Sequence, residues 1–183
     1  MRAFVAVFPP PETQKALADA ARGLPVVGKV RLTPSKNVHL TLKFLGDVSR
    51  EELERVADAL ETVRERHEPF EAGVSGFGAF PSPKRARVLW ASIGEGAIGL
   101  RSLAKDVEER LEPLGFERED RVYVPHLTLG RTRGRPVALE TLETLSPVPG
   151  FLVRHVDLVE SVLGGAVATY STLAAYPLSE SRD

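Results

Sequence analysis

A chain of 183 residues suits one domain, or two small lobes sharing a core, and 43% hydrophobic with 27% charged residues excludes wholesale disorder. The absence of cysteine excludes disulfides, thiolate nucleophiles, cysteine-ligated zinc and iron–sulfur clusters. Twenty-four Lys plus Arg against 25 Asp plus Glu leave a net charge of −1, which excludes a coat for nucleic acid with a broad basic surface while leaving room for a small basic site.

Ala3 to Phe8 reads as a short buried strand closed by three prolines. This opening run is too short for a secretory signal, and no stretch of eighteen apolar residues follows, so the expectation is a cytoplasmic protein with no membrane contact. Glu12 to Leu24 has helical spacing in Ala16, Leu17, Ala20, Ala21 and Leu24. Val38 to Phe44 alternates: Val38, Leu40, Leu42 and Phe44 point one way, and His39, Thr41 and Lys43 the other. Ser49-Arg50-Glu51-Glu52 is a capping-box pattern opening a helix through Leu53, Val56, Ala57, Leu60 and Val63. Phe70 to Phe80 and Arg87 to Ile93 read as strands joined by a loop. Leu100, Leu103, Ala104, Val107, Leu111 and Leu114 predict another amphipathic helix, stopped by Gly115. Val122 to Leu129 reads as a strand that Pro125 confines to an edge, a start or a bulge. Phe151 to Leu163 and Ala168 to Leu178 make a closing hairpin around Gly164-Gly165. Strand pairs interspersed with helices favour an α+β fold with largely antiparallel sheets.

The tetrapeptide His-Leu-Thr-Leu occurs at 39–42 and again at 126–129, about half a chain apart. Each copy precedes room for a helix and then a two-strand hairpin, the pattern of an old duplication into two similar lobes within one 1–183 domain. One copy is an ordinary polar strand face. Ten threonines put one two places after a given histidine about one time in twenty, so two such pairs among four histidines are uncommon, and identical leucines at both remaining positions make coincidence rarer still.

The chemistry suits the spacing. In a strand, residues i and i+2 project from one side, so each copy presents an imidazole beside a hydroxyl while its leucines anchor the core. Two such strands facing across a cleft offer one imidazole as base and another as acid near neutral pH. Their hydroxyls can donate to the non-bridging oxygens of a phosphate in a trigonal-bipyramidal transition state. An in-line displacement at phosphorus needs that arrangement and no metal.

His39-Leu40-Thr41-Leu42 and His126-Leu127-Thr128-Leu129 resemble the paired H-x-T-x motifs of the two-histidine phosphoesterase superfamily. Asn37-Val38-His39 through Gly46, the opening Arg2 to Val7, Arg87-Val88-Leu89-Trp90-Ala91 and Tyr123-Val124-Pro125-His126 resemble its bacterial RNA 2′,3′-cyclic phosphodiesterases, also called 2′-5′ RNA ligases. The resemblance runs nearly the whole chain, to Tyr170-Ser171-Thr172-Leu173. Many members have a tryptophan shortly before the first motif, where this chain has Val30-Arg31-Leu32.

This resemblance implies a bilobal α+β fold, two largely antiparallel sheets around a central cleft with helices outside. It implies opening of a ribose 2′,3′-cyclic phosphate to a 2′-phosphomonoester, with 2′-5′ ligation as the reverse and no cofactor or metal. His39 would give a proton to the departing 3′ oxygen, His126 would activate water, and Thr41 and Thr128 would hold the phosphate. Phe44 and Arg131, each five residues after its motif histidine, would sandwich a nucleobase. Strict alternation, however, sends both to the core face, so that role requires a bulge or the strand's end.

The remaining candidates are weaker. Arg131, Arg133 and Arg135 read as one loop that could meet flanking phosphates, and Lys84-Arg85-Ala86-Arg87 as a basic turn. His67 reads as a solvated helix end and His155 as a surface or packing residue. No H-E-x-x-H spacing or phosphate-binding glycine loop is present. The expected partners are RNA ends or small cyclic nucleotides, with no obligate protein partner. Two rival readings stand beside this: a nucleotide- or RNA-binding module on the same fold without turnover, and a His–His metal site.

Overall fold

The computed structural model describes residues 1–140 and 147–179. Prolines separate its first strand, β1 (Arg2–Val7), from α1 (Pro11–Arg22). The fixed φ of proline suits Pro11, the first helical residue, whose missing N–H costs no hydrogen bond there. Two short strands, β2 (Val26–Val27) and β3 (Val30–Leu32), lead to the first motif strand β4 (Leu40–Asp47). Helix α2 (Arg50–Leu60) starts on the expected capping box: Glu52 N–H donates to Ser49 Oγ at 3.1 Å, and Ser49 N–H to Glu52 Oε2 at 2.7 Å. Its Val56 and Leu60 are wholly buried, a contribution of about 1.5–3 kcal/mol each.

The stretch read as one strand over 70–80 is two, β5 (Phe70–Ala72) and β6 (Val74–Phe80). They break at Gly73 because β5 pairs with β10 and β6 with β7. After β7 (Val88–Ile93), α3 (Ala97–Leu111) buries Leu100, Leu103, Ala104, Val107 and Leu111. The second motif strand, β8, spans His126–Thr132, so residues 122–125 lie ahead of the strand and Pro125 immediately before it. Then come β9 (Ala138–Leu139), β10 (Phe151–Val153), β11 (His155–Val162) and β12 (Thr169–Pro177). The helix expected between the second motif and the final hairpin falls on a stretch including 141–146, outside the described residues.

Eight strands form one antiparallel sheet in the order β12-β11-β1-β4-β8-β7-β6, with β3 also paired to β8. Four strands belong to each half, and the halves join through the registered pair Leu40–Leu127. The pairs β10–β5 and β2–β9 make two small sheets. The main core lies on one face of the large sheet, where Val5, Val7, Leu40, Leu42, Leu127 and Leu129 meet the helices. That leaves the opposite face of β4 and β8 free to carry polar groups. Among the described residues no helix is long and apolar enough to cross a membrane.

Candidate active site

β4 and β8 pair antiparallel at the central leucines of the two tetrapeptides. This sense sets His39 toward Thr128 and Thr41 toward His126, so both imidazoles and both hydroxyls share one floor. The ring orientations repeat as well. His39 Nδ1 lies 2.7 Å from the carbonyl of Asn37, and His126 Nδ1 lies 2.7 Å from the carbonyl of Val124, in each case two residues upstream. A carbonyl only accepts, so each Nδ1 carries a proton and each neutral ring keeps a lone pair on Nε2. His39 Nε2 is 3.0 Å from Thr41 Oγ1.

The surroundings of the two rings differ. Around His39 stand Phe4 at 4.9 Å, Tyr170 at 5.2 Å and Phe8 at 5.3 Å between ring centroids. Burial there lowers the His39 pKa below its ordinary 6.5, the Asn37 carbonyl opposes the shift, and the charges of His126 and Arg131 reinforce it. Phe80 meets His126 edge-on, with centroids 5.6 Å apart.

Both motif strands depart from strict alternation at the same place. Val5 pairs with Lys43 and the adjacent Ala6 with Thr41, leaving Leu42 as an extra residue on β4. On β8, Leu89 pairs with Gly130 and the adjacent Trp90 with Thr128, leaving Leu129 as the extra residue. A bulge of this kind shifts the side chains that follow it to the other face, on β4 as far as a second irregularity at Leu45, where Phe4 pairs with Phe44 and the adjacent Ala3 with Gly46. Lys43, expected beside His39 and Thr41, is therefore buried in the core: its Nζ lies 2.7 Å from Glu108 Oε1 and also donates to the Glu117 carbonyl. Phe44, which alternation sends inward, stands 61% exposed on the histidine face, paired across the ladder with Phe4. Arg131 reaches that face by the equivalent bulge. Its charge is felt by both His39 and Tyr170.

The sheet thus brings together His39, His126, Thr41, Thr128, Phe44 and Arg131. Arg131 belongs to β8, whereas Arg133 and Arg135 are exposed in the turn beyond it. His67 is a correction: its side chain is only 10% exposed and its Nε2 lies 3.1 Å from Asp106 Oδ2. Asp106 also takes Arg110 at 3.0 Å and Arg66 at 3.3 Å, so His67 closes a charge cluster against α3 instead of facing solvent. His155 pairs with Asp157 at 3.3 Å, and that hydrogen bond raises its pKa against the effect of burial. Among the described residues no three His, Asp or Glu side chains converge as a metal-holding group. Sequence reasoning gave no site role to Phe4, Phe8, Phe80 or Tyr170, because aromatic residues in strands read as core. For Phe4 and Phe8 the missed signal was an even offset along one strand, placing them on one face.

Twin imidazoles and twin hydroxyls on the floor of an antiparallel sheet define the class: a two-histidine phosphoesterase. Comparison with known proteins agrees. The model of the LigT-like phosphoesterase family matches residues 7–90. The RNA 2′,3′-cyclic phosphodiesterase of Archaeoglobus fulgidus is 38% identical over 133 residues, 73% of this chain and 73% of that one. That of Aeropyrum pernix is 33% identical over 149 residues, 79% of this chain and 84% of its own. That of Thermus thermophilus is 33% identical over 186 residues, covering 97% and 90%. In structure, the TT0787 protein of Thermus thermophilus superposes with a TM-score of 0.80 at 30% identity, covering 97% of this chain and 98% of that one. Apo LigT of E. coli gives 0.79 at 24% identity over 98% of each chain, a likeness of fold. The chain belongs to the RNA 2′,3′-cyclic phosphodiesterase family of LigT-like phosphoesterases, and it is an enzyme of that class.

Proposed function

We propose that this enzyme hydrolyses RNA or nucleoside 2′,3′-cyclic phosphates to 2′-phosphomonoesters by two-histidine acid–base catalysis, within one domain of two related halves. The observation that carries the reading is the repeated orientation of His39 and His126, each held by Nδ1–H on the carbonyl two residues upstream. That hydrogen bond leaves both Nε2 atoms for chemistry on one face. His126 Nε2 takes a proton from water, the oxygen attacks phosphorus, and the bond to the 3′ oxygen breaks. Protonated His39 supplies its Nε2 proton to that oxygen. Thr41 and Thr128 donate to the non-bridging oxygens as the phosphorus becomes five-coordinate.

Phe44 and Arg131 hold the base between a phenyl ring and a guanidinium, which seats the ribose with its 3′ oxygen toward His39. The two bulges support this role by turning both residues to the histidine face. With a 5′-hydroxyl in place of water, the same steps join RNA ends through a 2′-5′ linkage, and their reversal, the 3′-hydroxyl attacking phosphorus, reopens it.

Incubation with adenosine 2′,3′-cyclic phosphate in EDTA tests the reading. Turnover to adenosine 2′-phosphate, read by phosphorus NMR, is the expected result. Binding without turnover would leave a nucleotide-binding module, and activity that returns only with zinc would leave a metal site.

A further inference from the structure

The His126 side of the cleft carries an aromatic surface that hydrolysis of a mononucleotide does not use. Register places Phe80, Gly78, Val88, Trp90 and Thr128 on one face: Gly78 pairs with Trp90, Phe80 with Val88, and Trp90 with Thr128. The indole lies directly over Gly78, where a Cβ would come within 2.4 Å of its Cζ2, so glycine lets the ring lie flat. Phe80 rests on that indole with centroids 5.0 Å apart at 31°, and remains 39% exposed. The pair forms a backed platform with one free side, beside the imidazole proposed to face the entering oxygen.

We propose that Phe80, supported by Trp90, stacks the base of the nucleoside whose 5′ oxygen enters or leaves at phosphorus: the 5′-hydroxyl end of a second RNA strand. This rests on the reading of His126 as the base. In the joining direction the 5′-hydroxyl gives its proton to His126 Nε2, its oxygen bonds phosphorus, and the 3′ oxygen departs with the His39 proton. The second nucleoside must therefore lie on the His126 side, where Phe80 stands. Charge favours RNA as the occupant. The turn after Phe80 exposes Lys84, Arg85 and Arg87, and the Ala86–Val137 bridge clips it beside the stretch bearing exposed Arg133 and Arg135. Phosphates continuing from the second nucleoside meet this ridge.

The test is binding, so that it stands apart from turnover. The probes are a 2′-5′-linked adenylyl-adenosine lacking the 3′-hydroxyl on its 2′-linked residue, which cannot cyclise, and 3′-deoxyadenosine 2′-phosphate. The protein holds a single tryptophan, so fluorescence of Trp90 reports on the platform directly. The dinucleotide is expected to bind about 5- to 150-fold tighter than the mononucleotide and to change that fluorescence. In Phe80→Ala this ratio falls toward one, and in Phe80→Tyr, which keeps a stacking ring, it is retained. A ratio near one in the unaltered protein, or a ratio unchanged in Phe80→Ala, overturns the assignment. Equal loss for both probes in Phe80→Ala also overturns it, since Phe80 would then hold the first base. Failure to turn over cyclic phosphates would sink the catalytic reading without touching this binding ratio.

Discussion

Replacing Lys43 by methionine tests the bulge that gives the cleft its aromatic wall. If β4 alternated through Lys43, the ammonium would stand beside Thr41 and assist phosphate binding. Its loss would then raise KM and leave stability alone. The register places it in the core instead, 4% exposed, on a Glu108 side chain that is itself 15% exposed. Removing one partner of a buried pair costs about 3–5 kcal/mol, because the other charge is left without compensation. Here Glu108 keeps one partner, the N–H of Glu119 at 2.9 Å on Oε2, which argues for the lower end, about 3 kcal/mol. For a chain of this size each kcal/mol moves the melting midpoint by about 2–4 °C, so the expected fall is about 6–12 °C. Thermal unfolding by circular dichroism measures it, and steady-state kinetics on adenosine 2′,3′-cyclic phosphate supplies the contrast. Adding Glu108→Leu should restore much of the loss, since a matched apolar pair carries no stranded charge. An unchanged midpoint with a raised KM would refute the inward placement of Lys43, and with it the bulge that exposes Phe44.

Each of His39→Ala and His126→Ala should lower kcat by about 10²–10⁴, while His155→Ala leaves it near the parent value; full activity in His126→Ala would end the paired mechanism. The pKa of His39 lies below 6.5, chiefly through burial, and its acid role needs the proton. As pH rises through that value the protonated fraction is lost, so the alkaline limb of kcat/KM should fall below pH 6.5. A limb set by His39 above that value would contradict the assignment. The corresponding limb in kcat should lie higher, because bound phosphate favours the imidazolium. Arg131→Ala should raise KM more than it lowers kcat, and should loosen product regiochemistry. A phosphorus NMR spectrum still showing only the 2′-phosphate would mean that something else orients the ribose.

Much of the candidate site was legible because its signal is local and repeated. Two identical tetrapeptides, each with imidazole and hydroxyl two residues apart, need only the pleat of a strand to share a face. Helix α2 was equally readable, since Ser49 and Glu52 satisfy end groups within one turn. Spacing also specified which leucines go inward up to Leu42 and Leu129. Beyond those residues local alternation gives the wrong answer, because a bulge belongs to a pair of strands. The extra residue at Leu42 is defined by β1, and that at Leu129 by β7, each distant in sequence. Only the tertiary structure could therefore turn Lys43 inward and Phe44 and Arg131 outward. Burial of His67 on Asp106 has the same origin, since the carboxylate that holds it comes from α3, 39 residues along the chain. The placement of Phe80 beside His126 does too: neither motif contains Phe80, and strand order alone brings β6 across β7 to the cleft. Sequence by itself determined the paired imidazoles and hydroxyls of the candidate site and their local presentation. Tertiary pairing decided which neighbours surround them, because register between distant strands depends on the whole sheet closing over one core.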